Sequence, residues 1–182
     1  MMSDESIISS SPSEKDWKKI QLLALDVDGV MTDGTVFVGP DGLEIKQFSI
    51  LDGLGLVCLK KAGVELAVIS GRLSAATTTR MNELKFDHII QGRKDKREAL
   101  AELARQLNLP PEAVCYVGDD VIDVPAIEYA GIGIAVANGV PAVLASADLI
   151  TEKKGGEGAV REVCDRILEC RNESVLSLYT SS

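Results

Sequence analysis

Leu22-Leu23-Ala24-Leu25-Asp26-Val27-Asp28-Gly29-Val30-Met31-Thr32-Asp33-Gly34 is the stretch on which the fold turns. Its first four residues are apolar without interruption, the pattern of a strand buried on both faces of a parallel sheet. Two carboxylates, two residues apart, follow at once and run into a glycine-punctuated turn. Polar chemistry in open α/β sheets gathers at the carboxyl ends of strands. Asp26 and Asp28 therefore belong at such an end, aimed at one crevice. Like charges that close need a shared proton or a cation. Mg2+ suits the pair, because it prefers carboxylate oxygens and often shares its site with a phosphate.

Working outward, the chain alternates strand and helix. Trp17 to Ile20 lead into the first strand. Thr35 to Val38 and Leu43 to Phe48 flank a Pro40-Asp41-Gly42 turn and read as a β-hairpin. Asp52 to Ala62 carry helical spacing, with Asp52 as the expected N-cap. Strands follow at Val64 to Ile69, His88 to Ile90, Val114 to Val117, Gly133 to Val136 and Asp148 to Ile150. Helices are expected up to about Leu84, from Asp95 to Leu107, up to about Ala130, from Pro141 to Ala145 and from Glu157 to Arg171. This order predicts an α/β fold, a doubly wound parallel sheet with helices on both faces. The hairpin is the one sizeable insertion and is too short to form a cap domain. Residues 1–16 are expected to be a flexible N-terminal tail, 17–171 a single domain and 172–182 a C-terminal tail.

Composition narrows the function. The chain has 182 residues and a formal net charge of -9, which argues against a general nucleic-acid or anionic-membrane binder. No stretch approaches the roughly 20 apolar residues of a membrane span, and the Ser-rich start does not resemble a secretory leader. Cys58, Cys115, Cys164 and Cys170 show no CxxC spacing and suit buried thiols in a reducing cytoplasm. His88 is the sole histidine. A histidine-based zinc or nucleophile site is therefore disfavoured.

Four polar elements follow strand ends in order: Asp26-x-Asp28, Ser70-Gly71-Arg72, Lys96 and Gly118-Asp119-Asp120-x-x-Asp123. Taken singly, each also suits a helix cap, a turn or a solvated surface. Taken together, in this order, they resemble the haloacid dehalogenase superfamily of phosphotransferases. The likeness runs from about Leu22 to Leu168. It is closest to the small, capless phosphatases of 3-deoxy-D-manno-octulosonate 8-phosphate. The residues that carry it are Asp26 to Gly34, Asp52-Gly53-x-Gly55, Gly118-Asp119-Asp120 and Gly155-Gly156-Glu157-Gly158-Ala159-Val160-Arg161-Glu162-Val163.

The resemblance implies that Asp26 is the nucleophile, forming an aspartyl phosphate. Asp28 would protonate the leaving alkoxide and then deprotonate the attacking water. Mg2+ would be held by a side-chain oxygen of Asp26, the backbone carbonyl of Asp28 and a carboxylate oxygen of Asp119. Ser70 would donate to a phosphoryl oxygen, and Lys96 would supply positive charge. Asp120 and Asp123 would orient Lys96 or metal-bound water. Asp28, Asp52, Gly53, Arg72, Arg80 and Lys96 are the expected substrate contacts.

Leu51 and Val57 replace residues that are frequently basic in the family, so a nonulosonate 9-phosphate stays open as an alternative substrate. The resemblance also implies a homotetramer. Val36, Phe37, Val38 and Phe48 would form its apolar patch, with Gly155-Gly156 as a hinge and the residues after Cys170 as a tail closing a neighbour's site. Two other classes compete. A receiver-type signalling domain would need an acidic acceptor after the third strand, where Gln91-Gly92-Arg93 stands. A non-catalytic oligomerisation module related to sugar nucleotidyltransferases would not need Asp28 or Lys96. No GxxxxGK[ST] motif is present for a P-loop kinase.

Overall fold

A computed structural model describes residues 12–180. Helix α1 (Glu14–Lys19) leads into strand β1 (Leu22–Leu25), then the short hairpin β2 (Phe37–Val38) and β3 (Glu44–Ile45). Next come α2 (Ile50–Lys61), β4 (Glu65–Ser70), α3 (Ala75–Glu83), β5 (His88–Gln91) and α4 (Lys96–Gln106). The second half runs β6 (Val114–Gly118), α5 (Val124–Tyr129), β7 (Ile132–Ala135), α6 (Pro141–Ser146), β8 (Leu149–Ile150), α7 (Ala159–Cys170) and α8 (Val175–Thr180).

Six strands form one parallel sheet in the order β5-β4-β1-β6-β7-β8, with the hairpin as a separate two-stranded sheet. The chain winds outward from β1 in one direction and then restarts from β6 in the other. A crevice therefore opens beyond the carboxyl ends of β1 and β6, at the topological switch point. Leu25 is level with Val68 on one side and Val117 on the other, so Asp26 emerges beside the ends of β4 and β6.

Both faces of β1 are buried, which is why its apolar run has no polar alternation. Leu23 and Leu25 face a core built with Trp17, Leu56, Leu59, Val163 and Ile167. Leu22 and Ala24 face the other, with Leu100, Leu103, Tyr116 and Ile127. Helix α7 buries Ala159, Val160, Val163, Cys164, Ile167 and Leu168, a stripe repeating every three to four residues, against α2 and the sheet. No helix among the described residues is long and apolar enough to cross a membrane.

Several expectations need correction. The cap of α2 is Ser49, whose hydroxyl accepts from Asp52 N at 3.3 Å; Asp52 lies inside the first turn. The hairpin strands are two residues each, because Pro40–Gly42 forms a single 3-10 turn with Asp41 at φ 59°. Helix α1 starts at Glu14 and buries Trp17, and the remainder of the expected N-terminal tail falls mostly outside the described residues. Val175–Thr180 are helical and sit on α2 of the same chain, with Val175 buried and its carbonyl accepting from Cys58 Sγ at 3.7 Å. Val175 thus packs on its own chain, while Leu176 and Tyr179 stay exposed at 73% and 63%.

The Gly155-Gly156 segment is tied to the turn after β1 and to Asn138. Gly156 N donates to Val30 O at 3.0 Å and Gly155 N to Asn138 Oδ1 at 2.8 Å. A Cβ on Gly155 would stand 1.7 Å from Gly29 O. Glycine is required here by close backbone approach to the turn after β1.

Candidate active site

The turn after β1 is tied by Thr32, a buried residue the motif contains but the sequence reading passed over. Its Oγ1 accepts from Gly29 N and Gly34 N, each at 3.2 Å, and donates to Val27 O at 3.4 Å. Gly29 has φ +96°, and a Cβ there would lie 2.0 Å from Asp119 Oδ2. The turn thus curls tightly enough for the loop after β6 to meet it.

Lys96, the first residue of α4, reaches inward and is 1% exposed. Its Nζ lies 2.8 Å from Asp26 Oδ1 and 2.7 Å from Asp123 Oδ1. A buried ammonium is tolerable only with such anionic partners. Burial alone would lower the Lys96 pKa, but Asp26 and Asp123 outweigh it and raise it.

Asp123 is fully engaged. Oδ1 also accepts from Tyr116 OH at 2.6 Å, and Oδ2 accepts from Asp119 N and Asp120 N at 3.1 and 3.2 Å. Gly118 makes room for it, since a Cβ there would lie 2.3 Å from Asp123 Cβ. Of the two roles the resemblance implies for Asp123, orienting Lys96 or metal-bound water, the contact with Lys96 is present. Asp120, by contrast, caps the turn that follows it, its Oδ1 accepting from Val121 N at 2.7 Å.

Ligand oxygens of Asp26, Asp119 and Asp123 all lie within 4.8 Å of one another. Asp119 Oδ1 is buried with no hydrogen-bond partner. Burial pushes the Asp26 carboxyl up to about 6, Lys96 opposing and Asp123 adding to the rise. Burial, with the charges of Asp26 and Asp123, pushes Asp119 up to about 8. Two crowded, desolvated carboxylates, one with an orphaned oxygen, make an oxygen-only donor set fit for a hard divalent cation. Because Asp123 is consumed by its four donors, Asp26 and Asp119 are the side chains left to hold it.

Asp28 is held from a different direction. Lys46, just past β3, has a buried side chain with Nζ 2.6 Å from Asp28 Oδ1. Lys46 also lies 3.5 Å from Glu44 Oε1 and donates to Thr77 Oγ1 at 3.3 Å. Arg72 Nη2 is 2.6 Å from Glu44 Oε2, and Arg72 Nε is 3.8 Å from Asp28 Oδ2. Asp28, Lys46, Glu44 and Arg72 therefore form a ring of alternating charge at the mouth of the crevice. Ser74 Oγ adds a donor to Glu44 at 2.6 Å and holds its pKa down, Arg72 and Lys46 assisting against the cost of burial. The hairpin was expected only as an assembly surface, and nothing in a lone Glu-x-Lys alternation announces this second use.

Ser70 ends β4, one strand from Asp26, buried, with Oγ accepting from Arg72 N at 3.2 Å. Arg72 stands in the ring, but Arg80 does not. Arg80 Nη1 pairs with Glu83 at 2.8 Å, and its Nη2 would lie 2.6 Å from a Cβ on Gly53. Asp52 is buried, its Oδ1 accepting from Arg161 N at 2.8 Å in the first turn of α7. Gly53 is buried beneath Arg80. The two departures from the basic pattern lie elsewhere. Val57 packs against the core, and Leu51 lines a groove of about 500 Å³ with Trp17, Lys153, Glu157 and Arg161.

Comparison with known proteins agrees with this geometry. A family description of haloacid dehalogenase-like hydrolases matches residues 74–163. The 3-deoxy-D-manno-octulosonate 8-phosphate phosphatase KdsC of Yersinia pestis is 46% identical over 149 residues, 82% of this chain and 80% of that protein. Its counterpart in Escherichia coli K12 is 43% identical over 151 residues, 83% of this chain and 80% of that protein. The crystal structure of the Moraxella catarrhalis phosphatase, in complex with magnesium, phosphate and KDO, superposes with a TM-score of 0.89. It is 44% identical, covering 93% of this chain and 97% of that one. A cobalt-bound Haemophilus influenzae phosphatase superposes with a TM-score of 0.84 at 35% identity, covering 86% of this chain and 92% of that one. This chain belongs to the haloacid dehalogenase-like hydrolases and, within that class, to the family of the 3-deoxy-D-manno-octulosonate 8-phosphate phosphatases.

Proposed function

We propose that the protein is a Mg2+-dependent phosphatase that hydrolyses 3-deoxy-D-manno-octulosonate 8-phosphate to the free sugar acid and phosphate. The observation that carries this is the Lys96–Asp26 pair beside the unpartnered Asp119 oxygen, which is chemistry-ready and serves no cap. A non-catalytic assembly module has no use for it.

Asp26 is the nucleophile. Lys96 holds its Oδ1, fixing the carboxylate and leaving the second oxygen to bond to phosphorus. As that bond forms, the bond from phosphorus to the sugar oxygen breaks, and Asp28 gives the departing alkoxide its proton. Water then attacks the aspartyl phosphate, Asp28 takes a proton from it, and the bond from phosphorus to Asp26 breaks. Ser70 donates to a phosphoryl oxygen, and Lys96 carries positive charge beside it. Mg2+, bound by Asp26, Asp119 and the Asp28 carbonyl, would neutralise the charge that collects on the phosphoryl oxygens. Arg72, beside Asp28 at the open side of the crevice, supports an anionic substrate. The KDO held by the Moraxella relative favours the octulosonate over a nonulosonate.

Assembly into a homotetramer in the cytoplasm belongs to the same reading. Its support is the hairpin surface, where Phe37 and Val38 are 58% and 74% exposed beside exposed Leu43 and Ile45. The function is tested by phosphate release from octulosonate 8-phosphate, nonulosonate 9-phosphate and simple sugar phosphates, with Mg2+ and with EDTA. Metal-dependent preference for the octulosonate is expected. Equal rates on all substrates, or turnover in EDTA, would overturn the proposal.

A further inference from the structure

Lys46 asks for an explanation. Lysine is seldom fully buried, because its flexible stem and ammonium both lose by it. Here the side chain starts just past β3 and passes inward until its ammonium stands 2.6 Å from Asp28 Oδ1, with Thr77 Oγ1 at 3.3 Å and Glu44 Oε1 at 3.5 Å. A brace between the hairpin and α3 does not require it. Glu44 already ties the hairpin to the segment that leads into α3, through Arg72 at 2.6 Å and Ser74, the α3 N-cap, at 2.6 Å. Lys46 adds a 2.6 Å ion pair to Asp28 Oδ1, while Arg72 Nε stands farther off, 3.8 Å from Oδ2.

We propose that Lys46 is a positioning residue for Asp28: it anchors Oδ1, so that Oδ2 is the oxygen presented for proton transfer. The inference rests on Asp28 being the acid and base of the proposed reaction. The proton passes from Asp28 Oδ2 to the sugar oxygen as its bond to phosphorus breaks. It is regained from water as the new phosphorus–oxygen bond forms and the bond to Asp26 breaks. Lys46 enters neither bond change. Its part is geometric, in line with the sensitivity of catalysis to misplacement of about 1 Å. The hairpin, an insertion outside the main sheet, thereby supports the chemistry directly.

A double-mutant cycle on the full chain with Mg2+ tests this, comparing Lys46→Met, Asp28→Asn and the pair, with a sugar phosphate as substrate. Lys46→Met is expected to lower kcat on the order of tenfold or more while KM stays within about twofold. In the Asp28→Asn background the same substitution is expected to cost less than about twofold, because nothing remains to be positioned. An equal loss in both backgrounds would assign Lys46 a purely structural role. A raised KM with unchanged kcat would make it a substrate contact, and an unaltered kcat and KM would leave it no role in turnover. Each of these overturns the proposal. Full turnover by Asp28→Asn would overturn the acid–base assignment itself, a result recognisably different from additivity in the cycle. Lys46→Gln replaces Lys46→Met should the latter not fold.

Discussion

The ammonium of Lys96 lies midway between the carboxylates of Asp26 and Asp123, at 2.8 and 2.7 Å, yet the two carboxylates are not equivalent. Asp123 has donors on both oxygens, from Tyr116 and from two backbone amides. Asp26 stands at the open crevice with its pKa raised by burial. One anion is structural and holds the lysine. The other is held by it.

Opposite responses to the same substitution follow. Asp123→Asn removes a charge on which Lys96 and Tyr116 depend. It is expected to cost about 3 kcal/mol or more, as breaking a buried pair does, read as a lower urea midpoint with an unchanged m-value. A variant as stable as the parent would contradict this anchoring role.

Asp26→Asn removes a carboxylate that is desolvated and faces Asp119. Stability in the absence of metal is expected to hold or rise, while turnover falls below detection. Substantial turnover in this variant would remove Asp26 from the nucleophile's role.

The raised pKa values set the pH response of the metal-free chain. Asp26 is pushed up to about 6 and Asp119 to about 8, mainly by burial. Between the ordinary carboxylate value near 4 and these values, the folded chain holds protons that the unfolded chain has released. Metal-free stability therefore falls as pH rises from about 4 to 8. Melting temperatures in EDTA should decline across that window, and Mg2+ should reverse the decline. Calorimetry at pH 7 in two buffers should detect protons released on Mg2+ binding. A flat metal-free profile would contradict the crowding of these acids.

Gly155→Ala places a methyl 1.7 Å from the carbonyl of Gly29, an atom of backbone that has no rotamer with which to yield. A loss of about 2 kcal/mol or more is expected, at the upper side of ordinary overpacking. Turnover should fall further than stability alone accounts for, since the displaced turn carries Asp28. Thermal melts and kcat on the same preparation check both parts.

Phe37→Lys with Val38→Glu puts charge on the exposed hairpin surface. Light scattering is expected to show a smaller particle than the parent gives. A parent that is already monomeric would remove the assembly proposal.

Much of this architecture is visible in local pattern. The unbroken apolar run of Leu22 to Leu25 announces a strand covered on both faces. The order of acids, serine and lysine after successive strand ends marks the crevice, because parallel strands bring those ends together whatever the intervening helices contain. Helix limits are less sharp. Ser49 and Asp52 are both good capping residues, and the choice fell to Ser49 because Asp52 is drawn under the first turn of α7.

Arg80 and Asp52 show where local reading stops. Both match family positions, yet Arg80 pairs with Glu83 three residues on and lies against Gly53, and Asp52 Oδ1 accepts from Arg161 N. Lys46 is the converse, a residue with no motif of its own that folding carries to Asp28. Which elements form, and which carboxylates share the crevice, follow from periodicity and strand order, both short-range properties of the chain. Which of those groups is left unpaired, and so free to do chemistry, depends on contacts between segments tens of residues apart, and these exist only once the sheet, the hairpin and α7 have packed together.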